Sequence, residues 1–305
     1  MAIGMTQKGK FLITGGAGFL GSHLCRNFLN YEKDSDGAFA SSNEVICISN
    51  FSNGNGNLQD LIDKPGFKML KPNDGFDDEI DYILQFASYP SPKDFLAMPL
   101  ETLYADSVGT MMMLNLATDK KATFMLASTG HIDQEYNPTK ESGIYAEGKR
   151  FAEAYTMAAH RKLGTQTRII RMFNSYGPGM RTDDGRVVPA FIVKALKDEK
   201  LEIWGGDQLV SLTYIDDMID GIKRVLFSDV IEPIEIGSPY RISIANLAKI
   251  IIGLCGSHSK LSLAPQWVKD ERMPDLQRAN DLGWSPKVDI VEGLTKTIDY
   301  FKGKI

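Results

Sequence analysis

The chain has 305 residues, a net charge of -5 with acids and bases interspersed, and 43% hydrophobic residues, enough to build one large domain with a smaller lobe, or two domains. No long basic run offers a footprint for nucleic acid or an anionic membrane, so a small-molecule partner is expected. Cys25, Cys47 and Cys255 are scattered without metal-ligand spacing, and their odd number argues against a disulfide framework; a reducing, cytoplasmic compartment and no metal site follow as expectations.

The opening "MAIGMTQKGK" lacks the apolar stretch of a signal peptide, and no later run approaches the ~20 apolar residues of a membrane helix. "KFLIT" (10–14) then reads as a strand and the stretch from Phe19 as a helix, joined through "LITGGAGFLGSHL" (12–24). In that turn Gly15 permits the tight bend, Gly18 lets the backbone approach a pyrophosphate, and Gly21 allows close helix packing. The free N–H groups at the helix start, at Phe19 and Leu20, attract the anion. A turn alone does not need three glycines at this spacing.

"EVICIS" (44–49) is the next strand. Its end, where an acid would hold the adenosine ribose hydroxyls, carries Ser49, followed by Asn50. A serine is a weaker clamp than a carboxylate, but from Glu44 to Ile62 there is no Lys or Arg to receive a 2′-phosphate, so NAD is expected rather than NADP. A polar loop leads to a strand at "DYILQFA" (81–87). A helix over roughly 101–119, a strand "TFMLAS" (123–128), a helix from about Ser142 to Lys162 and a strand "TQTRIIRMF" (165–173) complete the alternation. Such near-continuous apolar strands between helices predict a doubly wound α/β fold, a parallel sheet covered on both faces.

"NSYGPGMRTDDG" (174–185) marks a boundary or an active-site loop. Helices are expected near 187–198, 217–227, 244–254 and 290–302. The expected organisation is a dinucleotide-binding Rossmann domain over 1–172, with 213–237 returning to it, and a mainly substrate-binding lobe over 173–305.

"IYAEGKRFAEAY" (144–155) sets Tyr145 and Lys149 four positions apart, on one helix face. A free tyrosine, with a pKa about 10, is a poor base at neutral pH. A neighbouring ammonium and a cationic nicotinamide favour the phenolate, which can then take a proton from a sugar hydroxyl as hydride leaves the same carbon. Such a pair also occurs on ordinary solvated helices. The upstream cradle, the "AST" (127–129) ending a strand, and Gly148 inside the helix point to chemistry. Glycine there costs up to about 1 kcal/mol against alanine, so a close backbone approach to a cofactor or a neighbouring helix is expected.

Through "YAEGKRFAEA" (145–154), "RMFNSYGPGM" (171–180), "DDGRVVPAFI" (183–192), "YIDDMIDGI" (214–222), "RMPDL" (272–276) and "LGWSP" (282–286), nearly the whole chain resembles the extended short-chain dehydrogenase/reductase family. Within it the resemblance is to the nucleotide-sugar epimerases, dehydratases and decarboxylases, most of all the UDP-glucuronate decarboxylases. The resemblance implies a tightly held NAD that oxidises a sugar carbon, usually C4, and later returns the hydride. It makes Tyr145 the base, Lys149 its support and a cofactor ribose contact, and Thr129 the hydroxyl that orients the C4 oxygen. Ala87 and Ser88 would lie beside the cofactor, Asn174 and Arg272 would hold the diphosphate, and Arg186 would line the nucleotide. It also implies a homodimer formed through the helices at about 101–119 and 142–162.

Three positions depart from the pattern. His131 stands where decarboxylases and dehydratases carry an acid, Val210 replaces an arginine that grips the diphosphate, and Ser49 replaces the ribose acid. His131 is then either an acid/base or a hydrogen-bonded structural group. Arg181 and Arg241 are candidates to replace the missing arginine. Because 4-epimerisation needs only Tyr, Lys, Thr and a ketone free to turn, it is placed ahead of decarboxylation or dehydration. A non-catalytic nucleotide-binding protein is the alternative of another class.

Overall fold

The structure is a computed structural model and describes residues 8–29, 31–33, 39–41, 43–50, 56–75, 77–133, 143–204, 206–264 and 272–305. Part of the polar loop after Asn50, the loop before Tyr145 and the expected helix start at Ser142 lie outside them.

Seven strands form the central sheet: β1 (Lys10–Thr14), β2 (Glu44–Ile48), β3 (Phe67–Leu70), β4 (Tyr82–Gln85), β5 (Thr123–Thr129), β6 (Thr167–Met172) and β7 (Ile234–Ile236). Their spatial order is β3-β2-β1-β4-β5-β6-β7, a parallel doubly wound sheet as the alternation predicts. The chain changes direction across the sheet at β1, where Thr14 stands level with Ile48 on one side and Gln85 on the other. Such a switch point opens a crevice beyond the carboxyl ends of the strands. Phe11, Leu12 and Ile13 on β1 are all fully buried, as they must be when helices cover both faces.

The helices beside the sheet are α1 (Phe19–Leu29), α2 (Pro99–Tyr104), α3 (Thr110–Lys120) and α4 (Ile144–Leu163). Leu12, Ile46, Ile83, Phe124 and Ile169 of the strands form one core cluster with Leu114 of α3 and Ala152 of α4. The single helix expected over 101–119 is in fact α2 and α3 joined by a π turn, Ala105–Gly109. A π turn adds one residue to a helical coil without breaking it, so the apolar period on either side does not betray it. Strand β3 falls in the polar loop of the sequence reading. It has four residues, sits at the sheet edge, and has no fully buried position, so it lacks the apolar run by which the other strands are recognised.

The chain divides into two compact units: Met1–Pro90, Asp94–Arg171 and Ile222–Ile234 form the first, and Ser91–Lys93, Met172–Gly221 and Glu235–Ile305 the second. The second is built on α5 (Val187–Leu196), the start of α6 (Ile215–Leu226), α7 (Ile244–Cys255) and α8 (Ile290–Lys302). Short strand pairs accompany them, among them Leu209–Ser211 antiparallel to Arg241–Ser243. Trp284 is buried there and its indole N–H donates to the Asp217 carbonyl at 2.9 Å. Among the described residues, no helix is long and apolar enough to cross a membrane.

Candidate active site

The glycine turn between β1 and α1 is tied closely to its neighbours. Gly15 has φ +68°, and a Cβ there would lie 2.9 Å from the Ala87 backbone; a Cβ on Gly21 would lie 2.2 Å from the Gly15 carbonyl oxygen. Both positions therefore require glycine for reasons inside the protein. Gly18 differs, because a Cβ there meets only the Gly15 oxygen, at 3.1 Å. Its outer side is open to a ligand. The first turn of α1 has no acidic residue to offset its positive end.

Two buried polar side chains, not singled out by the sequence, fasten this turn to the sheet. The Thr14 hydroxyl donates to Gln85 Oε1 (2.7 Å) and accepts the N–H groups of Phe86 and Ala87 (3.1 Å each). Gly15 N–H donates to the Ile48 carbonyl at 2.8 Å. Ser49, the next residue after Ile48, thus starts beside the first glycine of the turn. The Asn50 amide donates to the Tyr89 hydroxyl at 3.0 Å. Ala87 and Ser88 follow β4 and are half-buried, with the Ser88 hydroxyl oxygen itself enclosed. Cradle, Ser49, Asn50, Ala87 and Ser88 thus gather at the carboxyl ends of β1, β2 and β4. An open glycine face for a pyrophosphate, and hydroxyl and amide groups for a ribose, suit NAD.

Tyr145 and Lys149 lie on α4 as expected. The Lys149 ammonium is buried: Nζ donates to the Ala127 carbonyl of β5 at 2.9 Å and pairs with Asp106 Oδ1 at 2.8 Å. It lies 5.5 Å from the centre of the Tyr145 ring, which is half-buried and stacked on Phe95 at 5.9 Å. Burial works against the charge of Lys149, but the facing Asp106 carboxylate, with help from Tyr145, outweighs it and holds Lys149 above its ordinary value. The close approach expected at Gly148 is to a neighbouring helix, for a Cβ there would lie 2.9 Å from Asp106 Cβ and 3.1 Å from its Oδ2.

Sequence reasoning missed Asp106 although a signal was present. Thr102, Asp106, Thr110, Leu114 and Ala117 recur at the three- and four-residue steps of a buried helix face, and all are at most 1% exposed. A carboxylate on such a stripe calls for a buried cation.

Thr129, at the end of β5, is buried, and its Oγ1 accepts the His131 N–H at 3.1 Å. That contact uses a lone pair and leaves the hydroxyl hydrogen available for a ligand oxygen. The half-buried His131 is brought here by its backbone. Below Thr129, Ser128 donates to Glu153 Oε1 (2.5 Å), and Glu153 also accepts Arg171 Nε and Nη2 at 2.9 and 2.8 Å, which fixes α4 against β5 and β6.

The remaining candidates belong to the second unit. Asn174 is exposed and its amide reaches the Ser211 carbonyl at 3.4 Å. A Cβ on Gly237 would strike Phe173 Cβ at 2.8 Å and Pro274 Cγ at 2.9 Å, so the segments carrying Asn174 and Arg272 meet at that glycine. Arg186 forms a two-point pair with the buried Asp184 carboxylate, at 2.5 and 2.7 Å. Val210 stands opposite Ile242, and Arg241 opposite Ser211. By strand alternation Arg241 therefore leaves the other face of the ribbon from Val210. Arg181 pairs with Asp183 at 3.4 Å.

The model of the NAD dependent epimerase/dehydratase family matches residues 11–237. UDP-glucuronic acid decarboxylase 1 of Xenopus tropicalis is 35% identical over 97% of this chain and 73% of its own length. UDP-glucuronic acid decarboxylase 5 of Arabidopsis thaliana is 36% identical over 93% of this chain and 87% of its own. Among solved structures, the UDP-glucuronic acid 4-epimerase of Bacillus cereus, in complex with UDP-glucuronic acid and NAD, superimposes with a TM-score of 0.81 at 26% identity, covering 97% of this chain and 100% of that one.

Proposed function

Because the chain belongs to the NAD-dependent epimerase/dehydratase family, we propose that it decarboxylates UDP-glucuronic acid through a 4-keto intermediate. The likeness of 93–97% of the chain to UDP-glucuronic acid decarboxylases carries this reading and moves it ahead of the 4-epimerase that the catalytic residues alone favoured. NAD, when bound, supplies the hydride acceptor that later becomes the donor. Gly15, Gly18 and Gly21, with the start of α1 at Phe19 and Leu20, would hold it, together with Ser49, Asn50, Ala87 and Ser88. Tyr145 takes the proton of the C4 hydroxyl, supported by the Lys149 charge, while the hydroxyl hydrogen of Thr129 steadies the C4 oxygen. The ketone formed lies β to the carboxylate, so it can accept the electron pair left as carbon dioxide departs from C5. Asn174 and Arg272 are assigned to the diphosphate, and Arg186 to the nucleotide.

A second reading, 4-epimerisation of the same substrate, is favoured by His131 in place of the acid and by the likeness to the Bacillus cereus enzyme. One experiment separates the two. Protein incubated with UDP-glucuronic acid and NAD should release carbon dioxide and UDP-xylose; the C4 epimer with its carboxylate kept would establish the second reading. No turnover of UDP-, dTDP- or GDP-sugars by protein that holds NAD would establish the non-catalytic alternative. In Tyr145→Phe, turnover should fall by about 10²–10⁴-fold with NAD still bound, and a parent-like rate would refute the mechanism.

A cytoplasmic place accords with three free cysteines. We also assign a homodimer to α2, α3 and α4, where Leu100, Tyr104, Met112 and Phe151 are exposed while Leu114 belongs to the core. A solution mass about twice 33.8 kDa would support it, and a monomer would refute it.

A further inference from the structure

Asp106 is wholly enclosed, and an enclosed carboxylate without a cation would destabilise the fold. The backbone around it is shaped to bring it to Lys149. The π turn at Ala105–Gly109 carries it, and such turns concentrate at functional positions. Gln85, the residue that fastens the glycine cradle through Thr14, also reaches into this turn, its Nε2 donating to the Ala105 carbonyl at 3.4 Å. On the other side Gly148 leaves the space Asp106 occupies, since any side chain there would meet its Cβ and Oδ2.

We propose that Asp106 is a positioning residue that holds Lys149 protonated and in place against the Ala127 carbonyl, and so sets the alkaline limit of the reaction. The role in turnover rests on the reading given under Proposed function; the effect on Lys149 itself does not. The charges facing Lys149 are Asp106 from the π turn and, on its own helix, Tyr145 and Glu153. Arg171 of β6 already engages Glu153, and β5 presents the neutral Ala127 carbonyl. Ser88, after β4, faces Asp106 rather than Lys149. Asp106 is thus the anion in direct contact with the ammonium, at 2.8 Å. Without it, burial would be opposed only weakly, and a buried amine deprotonates at lower pH.

The test compares Asp106→Asn with the parent. Protein labelled with carbon-13 at lysine Cε is titrated by NMR without substrate, with the Lys149 signal assigned by its loss in Lys149→Met. Turnover of UDP-glucuronic acid is followed over the same pH range. The Lys149 titration should move down by about one to three pH units, and the alkaline limb of turnover should move down with it. A Lys149 titration unchanged in folded Asp106→Asn overturns the proposal. Should that variant fail to fold, Gly148→Ala decides, because its methyl displaces the Asp106 carboxylate: a downward shift supports the proposal, and a parent-like titration overturns it. Absence of turnover in the parent would defeat the functional reading, while the shift of Lys149 would still stand or fall by itself.

Discussion

Replacing Gly21 by alanine tests the cradle most directly. The new methyl would sit 2.2 Å from the Gly15 oxygen and 2.6 Å from Gly16 Cα, where ordinary contact begins at 3.4 Å. Backbone on both sides must therefore separate by roughly 1 Å, and forced overpacking of this kind costs about 1–3 kcal/mol. For a chain of this size that is a fall in Tm of roughly 1.5–5 °C. The same shift disturbs the bonds from Gly15 N–H to Ile48 and from Gly18 N–H to Gly15, at 2.8 and 2.9 Å, which set where the turn's amides point. Loss of one hydrogen bond to a charged group is worth about 1.5–3 kcal/mol, so NAD affinity should weaken roughly 10- to 150-fold. Calorimetry measures both quantities, by scanning for Tm and by titrating NAD into protein stripped of nucleotide. Gly18→Ala is the contrasting variant. Its methyl meets only the Gly15 oxygen, at 3.1 Å against 2.2 Å in Gly21→Ala, so Tm should fall by less than in Gly21→Ala while NAD affinity falls as far. If Gly21→Ala keeps both the parent Tm and the parent affinity, the tight packing assigned to the turn is wrong. If Gly18→Ala binds NAD as the parent does, the open face is not where the pyrophosphate lies.

Ser49→Asp should tighten NAD binding, by about threefold to tenfold, as a carboxylate replaces a hydroxyl beside the ribose; calorimetric titration showing unchanged or weaker affinity would mean that the ribose lies elsewhere. Thr129→Val removes the hydroxyl hydrogen meant for the sugar oxygen and should lower kcat by about tenfold or more, with NAD affinity unaltered. A Thr129→Val enzyme with parent kcat would strike Thr129 from the mechanism.

Much of the site could be read from local pattern. The Gly15, Gly18 and Gly21 spacing and its place after an apolar strand depend on neighbours along the chain, and so does the four-residue step from Tyr145 to Lys149. Helix and strand periods repeat over a few residues, so the alternation that fixes the parallel sheet was equally visible. Gly148 could be marked as needing a close neighbour, because a helix interior penalises glycine whatever surrounds it. Its partner could not be named. Asp106 reaches Lys149 across two helices, and the π turn that aims it leaves the apolar period intact on both sides. Strand β3 escaped notice for a related reason, since an edge strand of four half-exposed residues takes its structure from pairing with β2 rather than from its own composition. The sequence by itself thus determined the kinds of element, their order and the residues able to do chemistry, because these follow from short-range geometry. Only the tertiary structure decided which buried charge answers Lys149 and that Thr14 and Gln85 lock the cradle to the sheet. Those contacts join groups that the packing of separate elements brings within hydrogen-bonding distance, and in a buried setting of low dielectric such pairings govern protonation and position.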